Sequence, residues 1–229
     1  MSSGVGIFVK TPTLSPVKTR LGNDVGRLRA EAFYLSSAEA VASVAQQSPS
    51  QLELTAYWAI AEHEALHSAA WADLPQLPQG PGSLGERMAQ IYRLLLNRHD
   101  SALLVGADAP QLTCDLLSRA VRWLSLPGPR LVIGPAQDGG FWIFGGNCHL
   151  PDPAWSQAVY SCPDTFQQFV AAMQSHGEWL ELDVLADVDR GADLATVTSQ
   201  LQQLKSPTDA QLRLTNWLED WLLPGSAAP

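Results

Sequence analysis

The sequence predicts an α/β fold in three layers, with a mostly parallel central sheet covered by helices on both faces. Short β-rich runs alternate with amphipathic stretches along the chain, which is the pattern of successive βαβ units. The 229 residues are 46% hydrophobic and 16% charged, so the chain can bury one full core. Because no linker rich in Pro, Gly or Ser divides it, we expect a single domain over residues 1–223 and a disordered tail at 224–229.

Six strands are predicted from β-rich runs, at residues 5–9, 52–60, 102–105, 130–134, 141–144 and 179–182. Helices are predicted between them, at residues 23–47, 83–96, 114–124, 163–176 and 192–204. In the first helix, Leu28, Ala32 and Leu35 recur near the helical period. The second begins with Ser83 and Glu86 at the spacing of a capping box. Residues 72–81 are expected to be irregular.

The last predicted helix begins at Ser206 and Pro207, an N-cap followed by a proline in the first helical position. One broad face of this helix is apolar, and it carries Leu214, Trp217, Leu218 and Trp221. A stripe of this kind is typical of a helix packed on a core, so we expect it to be buried rather than to bind a partner.

The charge and cysteine content exclude several classes of protein. The net charge is -9 and the sequence pI is about 4.9, which argues against nucleic acid or an anionic membrane as a partner. The chain has no apolar run of 18 residues and no signal-peptide pattern at its start, so we expect a cytoplasmic protein. Cys114, Cys148 and Cys162 are odd in number and form no CxxC pair, which argues against disulfides or a thiolate zinc site.

Three cations follow the first predicted strand. Lys10, Lys18 and Arg20 are 3 of the 14 basic residues of an acidic chain. Open α/β sheets bind their ligands where strands end, and a polyanion would explain why cations are concentrated there. We interpret this loop as a phosphate-binding clamp; the alternative is a solvated basic loop.

Carboxylates follow two later strands. Asp108 stands two residues before Pro110, which favours an extended turn; the alternative is a helix cap beside Thr113. Asp187 and Asp189 are two apart in a segment that, if extended, points both side chains to the same side. Such a pair can share a hard cation; the alternative is a pair of surface acids near a helix start.

A turn signal, Asp138-Gly139-Gly140, separates the fourth and fifth strands. A hairpin explains the glycines adequately. A glycine pair also lets a ligand approach the backbone closely, and Asp138 could accept hydrogen bonds from hydroxyl groups.

Residues His63-Glu64-Ala65-Leu66-His67 match the HExxH pattern of zinc proteases. The flanking sequence does not fit that class, because Ala70 replaces a turn glycine and Leu74-Pro75 follows. We favour an exposed helix face over residues 61–72 and keep a zinc site as the alternative.

Several of these segments together resemble one known family. The motifs are the cationic loop with Val17-Lys18-Thr19-Arg20-Leu21, the segment Leu84-Gly85-Glu86-Arg87-Met88, the strand end at Asp108, residues 134–141 and Asp187-Val188-Asp189. In this order they resemble the small bacterial GT-A-fold proteins described as nucleotide-diphospho-sugar transferase-like, some assigned as glycosyltransferases of arsenosugar biosynthesis. A more distant likeness is to the guanylyltransferases that activate phospholactate. The chain departs from the family pattern at Ser15-Pro16, where a glycine is usual.

The resemblance implies a single GT-A-like, Rossmann-related domain that transfers a sugar from a nucleotide-diphosphate donor to a small-molecule acceptor with Mg2+ or Mn2+. The resemblance implies that Lys10, Lys18 and Arg20 bind the diphosphate. It implies that Asp108, Asp187 and Asp189 bind the metal ion. The residues implied to face the sugar or the acceptor are Asp138, Gly139, Gly140 and Glu86. Asp138 or Glu86 would then be the general base. Nucleotidyl transfer with release of pyrophosphate and non-catalytic binding of a nucleotide sugar remain alternatives. The base, sugar, acceptor and oligomeric state are not predicted.

Overall fold

The computed structural model describes residues 1–48 and 52–222. The strands are β1 Ser3–Val9, β2 Leu54–Ile60, β3 Gln76–Pro78, β4 Ser101–Gly106, β5 Arg130–Pro135, β6 Phe141–Gly146 and β7 Glu178–Glu181. The helices are α1 Thr19–Val25, α2 Arg27–Gln46, α3 Leu84–Leu96, α4 Cys114–Leu124, α5 Asp152–Trp155, α6 Thr165–Met173, α7 Asp193–Gln202 and α8 Asp209–Leu222. The tail expected at 224–229 lies outside the described residues.

The strands form one seven-stranded sheet in the order β3-β2-β1-β4-β6-β5-β7. All neighbouring pairs are parallel except those of β6, which runs antiparallel to both β4 and β5. The turn at Asp138 to Gly140 sets this reversal, because it folds β6 back on β5 as a hairpin. The predicted α/β class with a mostly parallel sheet is therefore confirmed.

Helices cover both faces of the sheet and so give the three predicted layers. On one face, side chains from β1 such as Val5, Ile7 and Val9 pack with α2 and α4. On the other face, Leu104, Ile133 and Phe144 pack with α3, α5 and α6. A third apolar cluster joins α1, α2, α7 and α8, and helix α8 contributes Leu214 and Leu218, which are 1% and 0% exposed. The expected burial of the α8 stripe is thus confirmed at these two leucines.

Four local predictions were wrong. The helix expected at 23–47 is two helices, because Gly26, at φ +90°, breaks the chain between α1 and α2. The irregular stretch 72–81 contains the short edge strand β3. Residues 61–72 form two short 3₁₀ turns, His63–Ala65 and Ala69–Trp71, and not a longer helix.

The fourth correction concerns the start of α8. The helix begins at Asp209, and the cap is Thr208, whose backbone N–H donates to Gln211 Oε1 at 2.9 Å while its Oγ1 accepts from the Gln211 N–H at 3.2 Å. This reciprocal pair satisfies two backbone donors. Ser206 and Pro207 therefore precede the helix.

Candidate active site

The carboxyl ends of β1, β4 and β5 meet at one edge of the sheet because these strands are parallel. Lys10 follows β1, Asp108 follows β4 and Asp138 follows β5. The segment after β7 reaches the same edge, where Ala136 and Leu185 form an isolated parallel bridge just before Asp187. The fold thus brings together acidic and basic residues that are far apart in the chain, at the place where open α/β sheets bind ligands.

Lys18 connects three of these segments. Its ammonium group lies 2.9 Å from Asp108 Oδ1 and donates to the Val188 carbonyl at 2.6 Å. The Lys18 side chain is 8% exposed, whereas that of Asp108 is 46% exposed. Lys18 has the left-handed conformation, with φ 46°, at the N-cap of α1. A non-glycine residue rarely adopts this conformation, and such residues are enriched at functional sites.

The other two cations of the predicted clamp lie in different surroundings. Arg20 donates to Asp189 Oδ2 at 2.7 Å on the surface, and this hydrogen bond raises the pKa of Arg20. Lys10 is exposed, and its backbone N–H donates to the Tyr34 hydroxyl at 2.7 Å. The structure therefore places Lys18 and Arg20 against carboxylates, and Lys10 stands apart from both pairs.

A cavity of about 320 Å³ lies beside the Lys18–Asp108 pair. Three carboxylates line it, those of Asp108, Asp138 and Asp187, together with the backbone of Gly140. Asp189 is not part of the lining, so the structure brings only Asp187 of the predicted pair into the cavity. Arg20 accounts for the position of Asp189, since it binds that carboxylate on the surface.

The pKa of Asp187 is raised from 3.8 to about 6. Burial is the main cause, and the negative charge of Asp138 adds to it; Lys18 acts in the opposite direction, and Asp108 makes a smaller contribution that raises the pKa. These carboxylates therefore repel one another across the cavity. A hard divalent cation would relieve that repulsion, and carboxylate oxygens are its preferred ligands, so the donor set fits Mg2+ or Mn2+.

The Asp138 turn is held by its own contacts. Asp138 Oδ1 accepts from the Gly140 N–H at 2.8 Å, and the Phe166 N–H donates to the Gly139 carbonyl at 2.9 Å. Gly139 has φ +90°, and a Cβ there would lie 2.0 Å from the Pro163 carbonyl oxygen. Gly139 is therefore required for packing against the start of α6, and Gly140 is the glycine that borders the cavity.

Glu86 lies outside this cavity. Its Oε2 accepts from the Ser83 N–H at 2.7 Å and from the Ser83 hydroxyl at 2.9 Å, which confirms the predicted capping box and lowers the pKa of Glu86. It borders a separate depression with Arg93 and Asp152. The structure thus gives Glu86 a role in starting α3 and does not bring it to Asp138.

Sequence reasoning missed the apolar wall of the cavity. The wall includes Phe8, Met88, Phe141, Trp142 and Tyr160. Met88 and Phe141 are the last residues of two of the motifs, but all five residues are apolar or aromatic and were not distinguished in the sequence from ordinary core positions. Only the tertiary structure shows that they border a cavity.

The HExxH segment forms no metal site. His63, Glu64 and His67 are exposed, and His67 has φ 69°, which ends the 3₁₀ turn instead of extending a helix. The two histidines are thus not presented on one helical face. Within residues 1–48 and 52–222, no three His, Cys, Asp or Glu side chains are grouped as ready ligands for a metal ion. The carboxylates of the cavity do not form such a group either, so a cation there would need further ligands from water or a substrate.

Comparison with a family of bacterial proteins decides where the chain belongs. The model of DUF2064, described as "Uncharacterized protein conserved in bacteria", matches residues 40–161, more than half of the 229 residues. The chain belongs to the DUF2064 family. The matched region of this DUF2064 protein contains Asp108 and Asp138, whereas Lys18 and Asp187 lie on either side of it. No curated protein matches the chain significantly.

Solved structures share the fold of this DUF2064 protein. A candidate nucleotide-diphospho-sugar transferase from Desulfovibrio desulfuricans G20 superposes with a TM-score of 0.79 at 26% identity, covering 95% of this chain and 97% of that one. This match confirms the resemblance seen in the sequence. A cytidylyltransferase from Leptospira borgpetersenii has a TM-score of 0.54 at 11% identity and coverages of 96% and 94%. A nucleotidyl transferase from Methanothermobacter has a TM-score of 0.56 at 11% identity and coverages of 89% and 99%.

No helix among the described residues is long and apolar enough to cross a membrane.

Proposed function

We propose that this DUF2064 protein is a cytoplasmic, metal-dependent glycosyltransferase that takes a sugar from a nucleotide-diphosphate donor to a small-molecule acceptor. The observation that carries the proposal is the convergence of Lys18, Asp108, Asp138 and Asp187 at the carboxyl edge of the sheet. The similarity to the candidate transferase from Desulfovibrio supports it.

The donor diphosphate would bind at the start of α1. Lys18 and Arg20 are one helical turn or less apart there, and each is already paired with an anion, Asp108 or Asp189. A diphosphate offers these cations further oxygen ligands at the same place. Lys10, exposed after the end of β1, is the third cation proposed for this ligand.

Asp108 and Asp187 would hold the Mg2+ or Mn2+. When bound, the cation supplies positive charge to the diphosphate that leaves in the reaction. Lys18, whose ammonium lies 2.9 Å from Asp108 Oδ1, would stabilise the same leaving group with its positive charge.

Asp138 would accept the proton of the acceptor. Its carboxylate borders the cavity and is held by the Gly140 N–H at 2.8 Å, which fixes its orientation. Of the two bases considered from the sequence, Asp138 is the one that the cavity contains.

Thermal stability against a panel of nucleotides tests the proposal. Nucleoside diphosphates, triphosphates and nucleotide sugars are each added with and without Mn2+. A ligand that binds the native state stabilises it by ~2.7 kcal/mol at a hundredfold excess over Kd. We expect the largest Mn2+-dependent shift with a nucleotide sugar and release of the nucleoside diphosphate on turnover. Release of pyrophosphate would assign nucleotidyl transfer instead, binding without turnover would indicate a nucleotide-sugar binding protein, and no shift with any nucleotide would refute the proposal.

A further inference from the structure

We infer that the cavity beside Asp108 binds an acceptor that is neutral or cationic and has an apolar or aromatic part, and that it does not bind a phosphorylated acceptor. This inference rests on the proposed function, because it places the donor diphosphate at Lys18 and Arg20. It adds the chemical class of the second substrate and so separates glycosyl transfer from nucleotidyl transfer to a phosphate.

No residue of the cationic loop lines the cavity. Its walls come from the ends of β1 and β4, the β5–β6 turn, the start of β6, the start of α3 and the segment before α6. Among the described residues that line it, none is a lysine, an arginine or a histidine. Lys18, which contacts the lining residue Asp108, has its ammonium 2.9 Å from that carboxylate and 2.6 Å from the Val188 carbonyl.

The aromatic residues of the wall present rings and not polar atoms. The Tyr160 hydroxyl donates to the Trp155 carbonyl at 2.6 Å, and Trp142 Nε1 donates to the Asp183 carbonyl at 3.1 Å. The Phe141 ring packs on Phe169 with centroids 4.7 Å apart. These contacts hold the rings in place and occupy their donors, so the wall offers apolar surface to a ligand.

The charges of the cavity oppose an anionic acceptor. The carboxylates of Asp108, Asp138 and Asp187 line it, and no lysine, arginine or histidine does among the described residues. Under the proposed function, Lys18 and a divalent cation are both engaged with Asp108 and the donor diphosphate. A phosphate on the acceptor would then enter a cavity with no free cation, and an unpaired charge is costly to desolvate.

A neutral or cationic hydroxyl compound fits the reaction. The acceptor oxygen would attack the anomeric carbon of the sugar, the bond from that carbon to the diphosphate oxygen would break, and the acceptor proton would pass to Asp138. The nucleoside diphosphate leaves with the bonding electron pair. No oxidant or further reactant is required.

Three small probes that share a benzene ring test this inference: tyrosol, which is neutral, tyramine, which is a cation, and phenyl phosphate. Their affinities are measured by ligand-observed NMR titration of the full chain, alone and with Mg2+ and the nucleotide found in the thermal panel. We expect tyrosol and tyramine to bind at least about tenfold more tightly than phenyl phosphate. Binding of phenyl phosphate as tight as that of tyrosol, or no binding of tyrosol and tyramine, would overturn the inference.

A matched pair of variants locates the binding site. Leu84 borders the cavity and is 44% exposed, whereas Leu126 is 45% exposed and lies outside it. Leu84→Glu places a charge at the apolar wall and should lower the affinity for tyrosol about tenfold. The position is in the first turn of α3, where an acidic residue is tolerated. Leu126→Glu should leave tyrosol affinity unchanged. Equal affinities in the two variants would mean that tyrosol binds elsewhere, and the inference would fail.

The two proposals fail separately. If tyrosol binds in the wild type and binds more weakly to Leu84→Glu while no nucleotide binds, the preference of the cavity for neutral or cationic aromatic ligands stands, but the transferase proposal fails. If nucleotide sugars bind with Mn2+ but phenyl phosphate is the preferred probe, the transferase proposal stands and the acceptor class fails.

Discussion

At the scale of single residues, Lys18 joins three segments of the chain. Its left-handed backbone starts α1, its side chain is buried, and its ammonium joins the loop after β1 to Asp108 and to Val188. Lys18 also lies beside the carboxylates of Asp108 and Asp187 at the carboxyl edge of the sheet. Its position explains why substitution there should alter ligand binding specifically.

Lys18→Ala should weaken binding of UDP more than that of UMP, because the clamp is proposed to hold the second phosphate. We expect at least a tenfold larger loss for the diphosphate, which corresponds to ~1.4 kcal/mol. Isothermal titration with Mn2+ measures both affinities. Lys205→Ala, which removes an exposed lysine before α8, is the control and should change neither. Equal losses for UDP and UMP in the Lys18 variant would argue against a diphosphate clamp.

Asp187→Asn should stabilise the metal-free protein at pH 7.5 and not near pH 4. The pKa of Asp187 is raised from 3.8 to about 6, so between these values the native state binds more protons than the unfolded state. The free energy of unfolding therefore falls as pH rises through this window, and above it the ionised carboxylate is a constant cost. Since the Asp187 carboxylate is partly exposed, we expect Asp187→Asn to raise the free energy of unfolding by only ~1 kcal/mol.

Urea unfolding in EDTA at the two pH values measures this effect. Asp183→Asn is the matched control, because Asp183 is an exposed acid paired with Arg119 and its loss changes the net charge equally. Asp183→Asn should not raise the free energy of unfolding at either pH. A gain for Asp187→Asn that is as large at pH 4 as at pH 7.5 would show that its carboxylate is not protonated in the native state.

At the scale of elements, the β5–β6 turn supplies both the reversal of the sheet and one wall of the cavity. Gly139→Ala tests how closely the turn is packed. The substitution adds strain at φ +90° and a Cβ 2.0 Å from the Pro163 carbonyl oxygen. We expect a loss of roughly 3 kcal/mol in the free energy of unfolding, measured by urea denaturation.

Gly128→Ala is the control for that loss. Gly128 has a closely similar φ of +89°, but a Cβ there would have nothing within 4 Å. Only the backbone strain remains, at ~1 kcal/mol. If Gly139→Ala and Gly128→Ala lower the free energy of unfolding equally, the turn can move away from α6. The wall of the cavity would then not be rigid.

The elements also show how far the sequence could be interpreted. Strands with continuous apolar runs, such as β4 and β5, were predicted because burial on both faces leaves a strong pattern. The break at Gly26 and the cap at Thr208 were missed, since each depends on one residue's conformation or on a neighbour's hydrogen bond. The edge strand β3 was missed because three residues carry little pattern.

The candidate site was predictable from the sequence only where strand direction determines it. Parallel strands end at one edge, so Asp108 and Asp138 could be placed together from their positions after strands. The pairing of Asp189 with Arg20 could not, because these residues are joined by tertiary contact across 169 positions of the chain. Glu86 was assigned to the site from the family resemblance, although its carboxylate caps α3.

At the scale of the whole molecule, the site depends on the third apolar cluster. Leu21 of α1, Ala186 and Val188 belong to this cluster together with α7 and α8. These residues are direct neighbours, along the chain, of Arg20, Asp187 and Asp189. The C-terminal helix therefore supports the position of the cations and carboxylates, although it contributes no residue to the cavity.

Leu218→Ala should therefore destabilise the whole protein. Leu218 is fully buried in the third cluster, and removing such a side chain costs ~2–5 kcal/mol. Leu212→Ala, in the same helix but 46% exposed, is the control and should cost less than ~0.5 kcal/mol. Urea unfolding is followed by far-UV circular dichroism and by tryptophan fluorescence. If the cluster and the sheet form one cooperative unit, the two transitions of Leu218→Ala shift together. Separate transitions would show that α8 detaches first, and the support it gives to Lys18 and Asp187 would then be weaker than the shared cluster implies.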